Sequence, residues 1–165
     1  MDTAEFTEFA VARTPTLFRT AYALTGDWYR AEDLVQEALG RIYVKWSRVS
    51  RADDPAAYAR TTLVRLFISD RRRRSSTERP TADLGADEQV PDDDVSLRLT
   101  VLSALAQLGP IDRAALVLRY YEDLDAASTA DLLGTTPEAV RTRCRRALAR
   151  LRDVLGDNLT DLRSN

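Results

Sequence analysis

The chain has 165 residues, 44% of them apolar, with 24 Lys and Arg against 26 Asp and Glu, which is enough for one ordinary domain or two small ones around packed cores. A single cysteine, Cys144, and no histidine exclude a disulfide framework, most zinc sites and every histidine-dependent triad or acid–base pair. No apolar run approaches the roughly 18 residues of a membrane span, and the acidic start lacks the basic beginning of a signal peptide, so a cytoplasmic protein without membrane insertion is expected.

The net charge of −2 hides an uneven distribution. Residues 75–96 hold Glu78, Asp83, Asp87, Glu88, Asp92, Asp93 and Asp94 against Arg79 alone, a local −6 that leaves +4 for the rest of the chain. Lys45 is the only lysine; every other basic residue is arginine.

From Thr3 to about Arg74 the pattern is helical, with no period-2 strand. Phe6, Phe9 and Ala10, then Leu17, Phe18, Ala21 and Tyr22, predict apolar faces on the first helices, ended by a turn at Thr25-Gly26-Asp27. Ala31, Leu34, Val35, Ala38, Leu39, Ile42 and Tyr43 follow at the spacing of one amphipathic helix. That helix leaves Asp33, Gln36, Glu37 and Arg41 for solvent or a partner. Asp53-Asp54-Pro55 reads as an N-cap region with proline in the first turn, opening a helix through Tyr58, Thr62, Leu66 and Ser69.

The next stretch, "SSTERPTADLGADEQVPDDD", is acidic and punctuated by Pro80, Gly85 and Pro91. It buries too little apolar surface to offset its ordering entropy and is expected to be a flexible linker. The expected fold is therefore all-α: two small helical domains, residues 1–74 and 96–160, joined by an acidic linker over 75–95. In the second domain the pattern predicts a helix around Leu97 to Leu108, a turn at Gly109-Pro110, a helix Asp112 to Tyr121 and another from about Asp125 to Leu133.

The string "DAASTADLLGTTPEAVRTRCRRAL" has helix-turn-helix spacing. Ala130 is small where two helices cross, and Gly134, four residues on, supplies the left-handed turn. Thr135 or Thr136 caps the second helix, Pro137 occupies its first turn and Val140 plugs the core. Val140, Cys144, Ala147, Leu148 and Leu151 form its apolar stripe, which makes Cys144 a structural thiol. Around the stripe stand Arg141, Arg143, Arg145, Arg146, Arg150 and Arg152. Such a helix enters the major groove by its N-terminal part, where arginine pairs with guanine and neutralises phosphates. Arg141, Thr142, Arg145 and Arg146 are best placed for base edges or nearby phosphates; Arg150 and Arg152 lie farther down. The alternative is a basic surface helix whose late arginines favour the negative end of its dipole.

Over nearly its whole length the chain resembles a bacterial sigma factor of the sigma-70 family, in its extracytoplasmic-function group and of actinobacterial type. "DLVQEAL" with "YVKW", "AYARTTLVRLFISDRRRR" and "LGPIDRAALVLRYYEDLDAASTADLLGTTPEAVRTRCRRALARLR" carry the resemblance, in the family's order. It implies an alternative sigma factor that binds core RNA polymerase, recognises minus-10 and minus-35 promoter elements and promotes DNA opening. Asp33, Leu34, Val35, Gln36 and Glu37 would then meet the polymerase clamp. The loop from about Ser47 to Asp54 and the helix after it would read the minus-10 strand, with Tyr58, Arg60, Thr61, Arg65 and Arg72. The opening of the last helix would read the minus-35 element with Thr136, Glu138, Arg141, Thr142, Arg145 and Arg146.

Arg65 stands where many members have Asn, Ser128 where many have Glu, and "LGP" where "LPP" is commoner. The implied partners are core RNA polymerase, promoter DNA and, where one exists, an anti-sigma factor. No cofactor, metal or catalytic residue is implied. A polymerase-independent helix-turn-helix regulator would leave the first half unexplained, and a DNA-acting enzyme would lack histidine and any nucleophile paired with a base.

Overall fold

The computed structural model describes residues 3–74 and 93–163, with the side chains of Arg72, Arg74, 93–99 and 157–163 outside the description. Every regular element among the described residues is helical, and the chain divides into two compact units, Met1–Ala82 and Asp83–Asn165.

In the first unit α1 (Thr3–Thr25) packs on α2 (Trp28–Val44) and α4 (Pro55–Arg74), and α2 packs on α4, with the short α3 (Trp46–Val49) between them in the chain. Where the sequence predicts separate first helices, a single helix runs through Pro15. Pro15 and Val11, whose carbonyl loses its donor, are both exposed, so water can replace the missing bond. The start of α1 is fastened by aromatic rings: Phe6 lies 4.9 Å from Tyr43 and 5.4 Å from Trp46, and Phe9 lies 4.9 Å from Trp46.

Gly26, at φ 66, turns the chain into α2, where Asp27 caps by accepting from the Arg30 amide at 3.0 Å. The expected loop from Ser47 is helical as far as Val49, because Trp46 and Val49 are both buried and one turn brings them to the same face. Asp54 then caps α4 through the Ala57 amide at 2.9 Å. The buried residues of α4 are Ala59, Leu63, Val64, Leu66 and Phe67. Of the expected line Tyr58, Thr62, Leu66 and Ser69, only Leu66 is buried; the others face a groove.

In the second unit, α5 (Asp93–Ala106), α6 (Pro110–Leu116) and α7 (Ala126–Leu133) all pack on α8 (Pro137–Arg163). Helix α5 begins inside the segment expected as linker, where aspartates at a helix start favour its dipole; residues 75–92 of that segment lie outside the described residues. Pro110 opens α6 rather than belonging to a turn before it. Arg113 is nonetheless buried, donating through Nη2 to the carbonyls of Ala106 and Leu108 at the end of α5. The last turn of the expected Asp112–Tyr121 helix is π-helical, Val117–Tyr121, with the Glu122 amide reaching back to the Val117 carbonyl at 2.9 Å.

The helix-turn-helix forms as its residues predict. Asp125 caps α7, Gly134 ends it at φ 65 and ψ 42, and Thr136 is the residue that caps α8, accepting from the Ala139 amide at 3.2 Å. Val140, Cys144 and Ala147 enter one core with Leu108, Ala115, Leu116, Ala126 and Ala130. The last helix continues past Arg152 to Arg163.

Candidate polymerase and nucleic-acid interfaces

The helix period divides α2 into two working faces. Leu34 and Val35 are only 7% and 4% exposed, whereas Asp33, Gln36 and Glu37 are exposed. Of the five residues expected to meet polymerase, three therefore present side chains, and Leu34 and Val35 fix the helix to its unit. This corrects the expectation that all five stand at the contact: a residue with a buried side chain cannot also offer it to a rigid partner. Glu37 is held by Arg41, whose Nη2 donates at 2.7 Å.

Tyr58 and Arg65 face a common groove of about 310 Å³ between α4 and α2, with Thr62, Leu66 and Ser69 from α4 and Arg41 and Lys45 from the α2 side. Arg60 and Thr61 do not line it. Two residues of helix turn Arg60 about 200° from Tyr58, and it is half-buried. Arg72 lies in α4, with its side chain outside the described residues. The groove has no signal in the local pattern, because Arg41 and Lys45 reach it from a different part of the chain.

On α8, Glu138, Arg141, Arg145 and Arg146 are exposed and Thr142 is half-buried. Thr136 spends a lone pair as the cap. Glu138 stands 3.7 Å from Arg141, a loose pair in solvent. Arg141, Arg145 and Arg152 border a pocket of about 260 Å³ with Cys144, Leu148, Arg119 and Tyr120. The π-helical turn supplies the last two: Arg119 donates to the Leu124 carbonyl at 2.6 Å and its guanidinium lies 5.9 Å from the Tyr120 ring centre. Sequence reasoning misses Arg119 and Tyr120, and Arg152 is closer to the basic face than its distance along the helix suggests. Arg143 departs from the other arginines of the stretch: its Nη1 pairs with Asp112 Oδ1 of α6 at 2.8 Å, so it braces the recognition helix against its own unit.

Burial pushes the Cys144 thiol above its ordinary range, which keeps it protonated and unreactive. The Ser128 amide, bonded to Asp125, holds that carboxyl below its ordinary value. Among the described residues no helix is long and apolar enough to cross a membrane, and no cluster of three or more His, Cys, Asp or Glu could hold a metal ion.

Residues 11–77 match the family described as Sigma-70 region 2, and residues 98–151 match Sigma-70, region 4. The RNA polymerase sigma-E factor of Streptomyces coelicolor is 34% identical over 155 residues, covering 92% of this chain and 86% of that protein. The ECF RNA polymerase sigma factor SigL of Mycobacterium tuberculosis is 36% identical over 148 residues, covering 84% of this chain and 82% of that protein. Among solved structures, the M. tuberculosis extracytoplasmic function sigma factor SigJ matches with a TM-score of 0.62 at 29% identity, over 88% of this chain and 52% of that one. The sigma factor RpoE of Bartonella quintana, solved with the anti-sigma factor NepR, shares the fold at a TM-score of 0.72 and 22% identity, over 92% of this chain and 97% of that one. The two matched regions follow one another along a chain whose second unit holds a formed helix-turn-helix, and the protein belongs to the extracytoplasmic-function group of RNA polymerase sigma factors.

Proposed function

We propose that this sigma factor divides its work between its two units. The first, corresponding to residues 1–74, docks on core RNA polymerase through Asp33, Gln36 and Glu37 of α2 and reads the minus-10 element as single strand from α4. Tyr58 supplies a ring for an unstacked base, Arg65 a cation, and Thr61, Arg60 and Arg72 further contacts along the same helix. The second, residues 96–160, reads the minus-35 element as duplex. Arg141, Arg145 and Arg146 supply base-edge and phosphate contacts from α8, Thr142 and Glu138 adjoin them, and Thr136 sets the start of the helix. Residues 75–95 tether the two.

The protein contributes binding and positioning, and the chemistry of RNA synthesis belongs to the polymerase. It acts in the cytoplasm, where polymerase and promoter are found. An anti-sigma factor is a further partner in this reading, supported by the complex in which the B. quintana relative was solved.

The observation that carries the reading is the ordered pair of sigma-70 regions, each on its own helical unit. The test is transcription from a library of promoter fragments by core RNA polymerase with and without the purified protein. Specific initiation that depends on the added protein is the expected outcome. Sequence-specific duplex binding by the protein alone, with no binding to core, would overturn the reading.

A further inference from the structure

The groove between α2 and α4 carries more chemistry than Tyr58 and Arg65. Three cations border it, Arg41, Lys45 and Arg65, and among the described residues no carboxylate lines it. Leu66, buried, contributes an apolar side chain, while Thr62 and Ser69 contribute hydroxyls. The Thr62 hydroxyl already donates to the Tyr58 carbonyl at 2.9 Å, which leaves its oxygen as an acceptor. At about 310 Å³ the groove falls within the range of sites that hold small ligands.

A cluster of cations beside one half-buried aromatic ring fits a phosphodiester joined to an exposed base. Paired bases in a duplex are stacked on one another and do not offer their faces to such a ring, so the occupant is single-stranded. The only lysine of the chain is one of these cations.

We propose that the α2–α4 groove seats one nucleotide of the opened DNA strand, with Arg41 and Lys45 joining Arg65 on the phosphodiester and Tyr58 carrying the base. This rests on the reading of the first unit as the minus-10 reader and extends it: the helix that faces polymerase through Asp33, Gln36 and Glu37 also grips the strand. Arg41 is shared between the two tasks. Its 2.7 Å pair with Glu37 is exposed on both sides, and a pair of this kind is weak enough to yield to a phosphate.

The test uses holoenzyme reconstituted from core polymerase and the full chain. The probe is a fluorescent single-stranded oligonucleotide bearing the nontemplate minus-10 strand of a promoter that the wild-type holoenzyme transcribes. Lys45→Ala is expected to bind core within about twofold of wild type and the strand about tenfold more weakly at low salt, and R41A/K45A more weakly still. The slope of log affinity against log salt is expected to flatten by about 0.7 for each phosphate that is no longer neutralised, and Lys45→Arg to restore both values.

Unchanged strand affinity and slope in R41A/K45A would overturn the proposal. So would a loss of strand binding that follows a loss of core binding, since it would make Arg41 and Lys45 polymerase contacts. A wild-type chain that supports no transcription at all would instead remove the underlying reading, an outcome visible before any variant is made.

Discussion

Arginines that look equivalent in the string "RTRCRR" do three different things once the helix is folded. Arg141 and Arg145 open onto a basic pocket, Arg146 stands in solvent, and Arg143 reaches Asp112 at 2.8 Å. The Arg143 and Asp112 side chains are about one third exposed, 37% and 32%, so solvent screens the pair and its coupling is about 0.5–1 kcal/mol. Urea unfolding of R143A, D112A and the double variant is expected to return that coupling in a double-mutant cycle, with duplex affinity in holoenzyme falling less for R143A than for R141A. Cys144 is the other residue whose environment decides its chemistry. Its pKa is raised from an ordinary 9.0 by burial, so thiolate is scarce at neutral pH. Iodoacetamide at about pH 7.5 is expected to label it slowly in the native protein and rapidly in denaturant; rapid native labelling would contradict its place in the core.

At the scale of the element, turn chemistry dominates. Gly134 holds φ 65 with open space where a Cβ would stand, so Gly134→Ala meets backbone strain without a clash. A cost of about 1 kcal/mol is expected from thermal unfolding, with Gly134→Asn costing less because asparagine tolerates the left-handed region. The cap on α7 links the same motif to pH. Asp125 is depressed below 3.8, first by its bond from the Ser128 amide, so its contribution is complete above that value and fades as pH falls through the folded pKa. D125N, whose cap does not titrate, is expected to lose less stability than wild type between about pH 4 and 2, as followed by circular dichroism during acid titration.

Caps and stripes are local signals, which is why Asp27, Asp54, Asp125, Gly134 and Val140 are legible in the amino-acid string itself. Helix α3 and the π-helical turn are not, since four residues carry no period and a π-turn looks like any other helical turn in sequence. The inward direction of Leu34 and Val35 follows from the stripe that predicts α2, yet a motif taken as one string hides the split between its faces. The groove and the Arg119 pocket arise where packing brings together residues from separate helices, Lys45 with Tyr58 and Arg119 with Arg152, which no short window of sequence contains.

For the whole molecule, charge separation is the feature with the longest reach. The seven carboxylates of residues 75–96 sit in the same chain as a DNA-facing helix with six arginines between 141 and 152. Replacing those carboxylates with Ser or Asn is expected to raise the affinity of the free protein for promoter duplex at low salt, and the gain to shrink as salt screens it. Equal affinities at low salt would reduce the segment to a tether.

Helix α2 has a different consequence. It carries core residues on one side, Asp33, Gln36 and Glu37 on another, and Arg41 and its C-cap Lys45 toward the groove, all in one rigid register. Deleting a single residue near Val35 would rotate everything beyond it by about 100° relative to what precedes it, moving charged positions into the core and apolar ones into water. Length variation among descendants of this gene is therefore barred from α2, however conservative the residue removed, and collects in the stretch around 75–92, where no apolar stripe has to keep its phase.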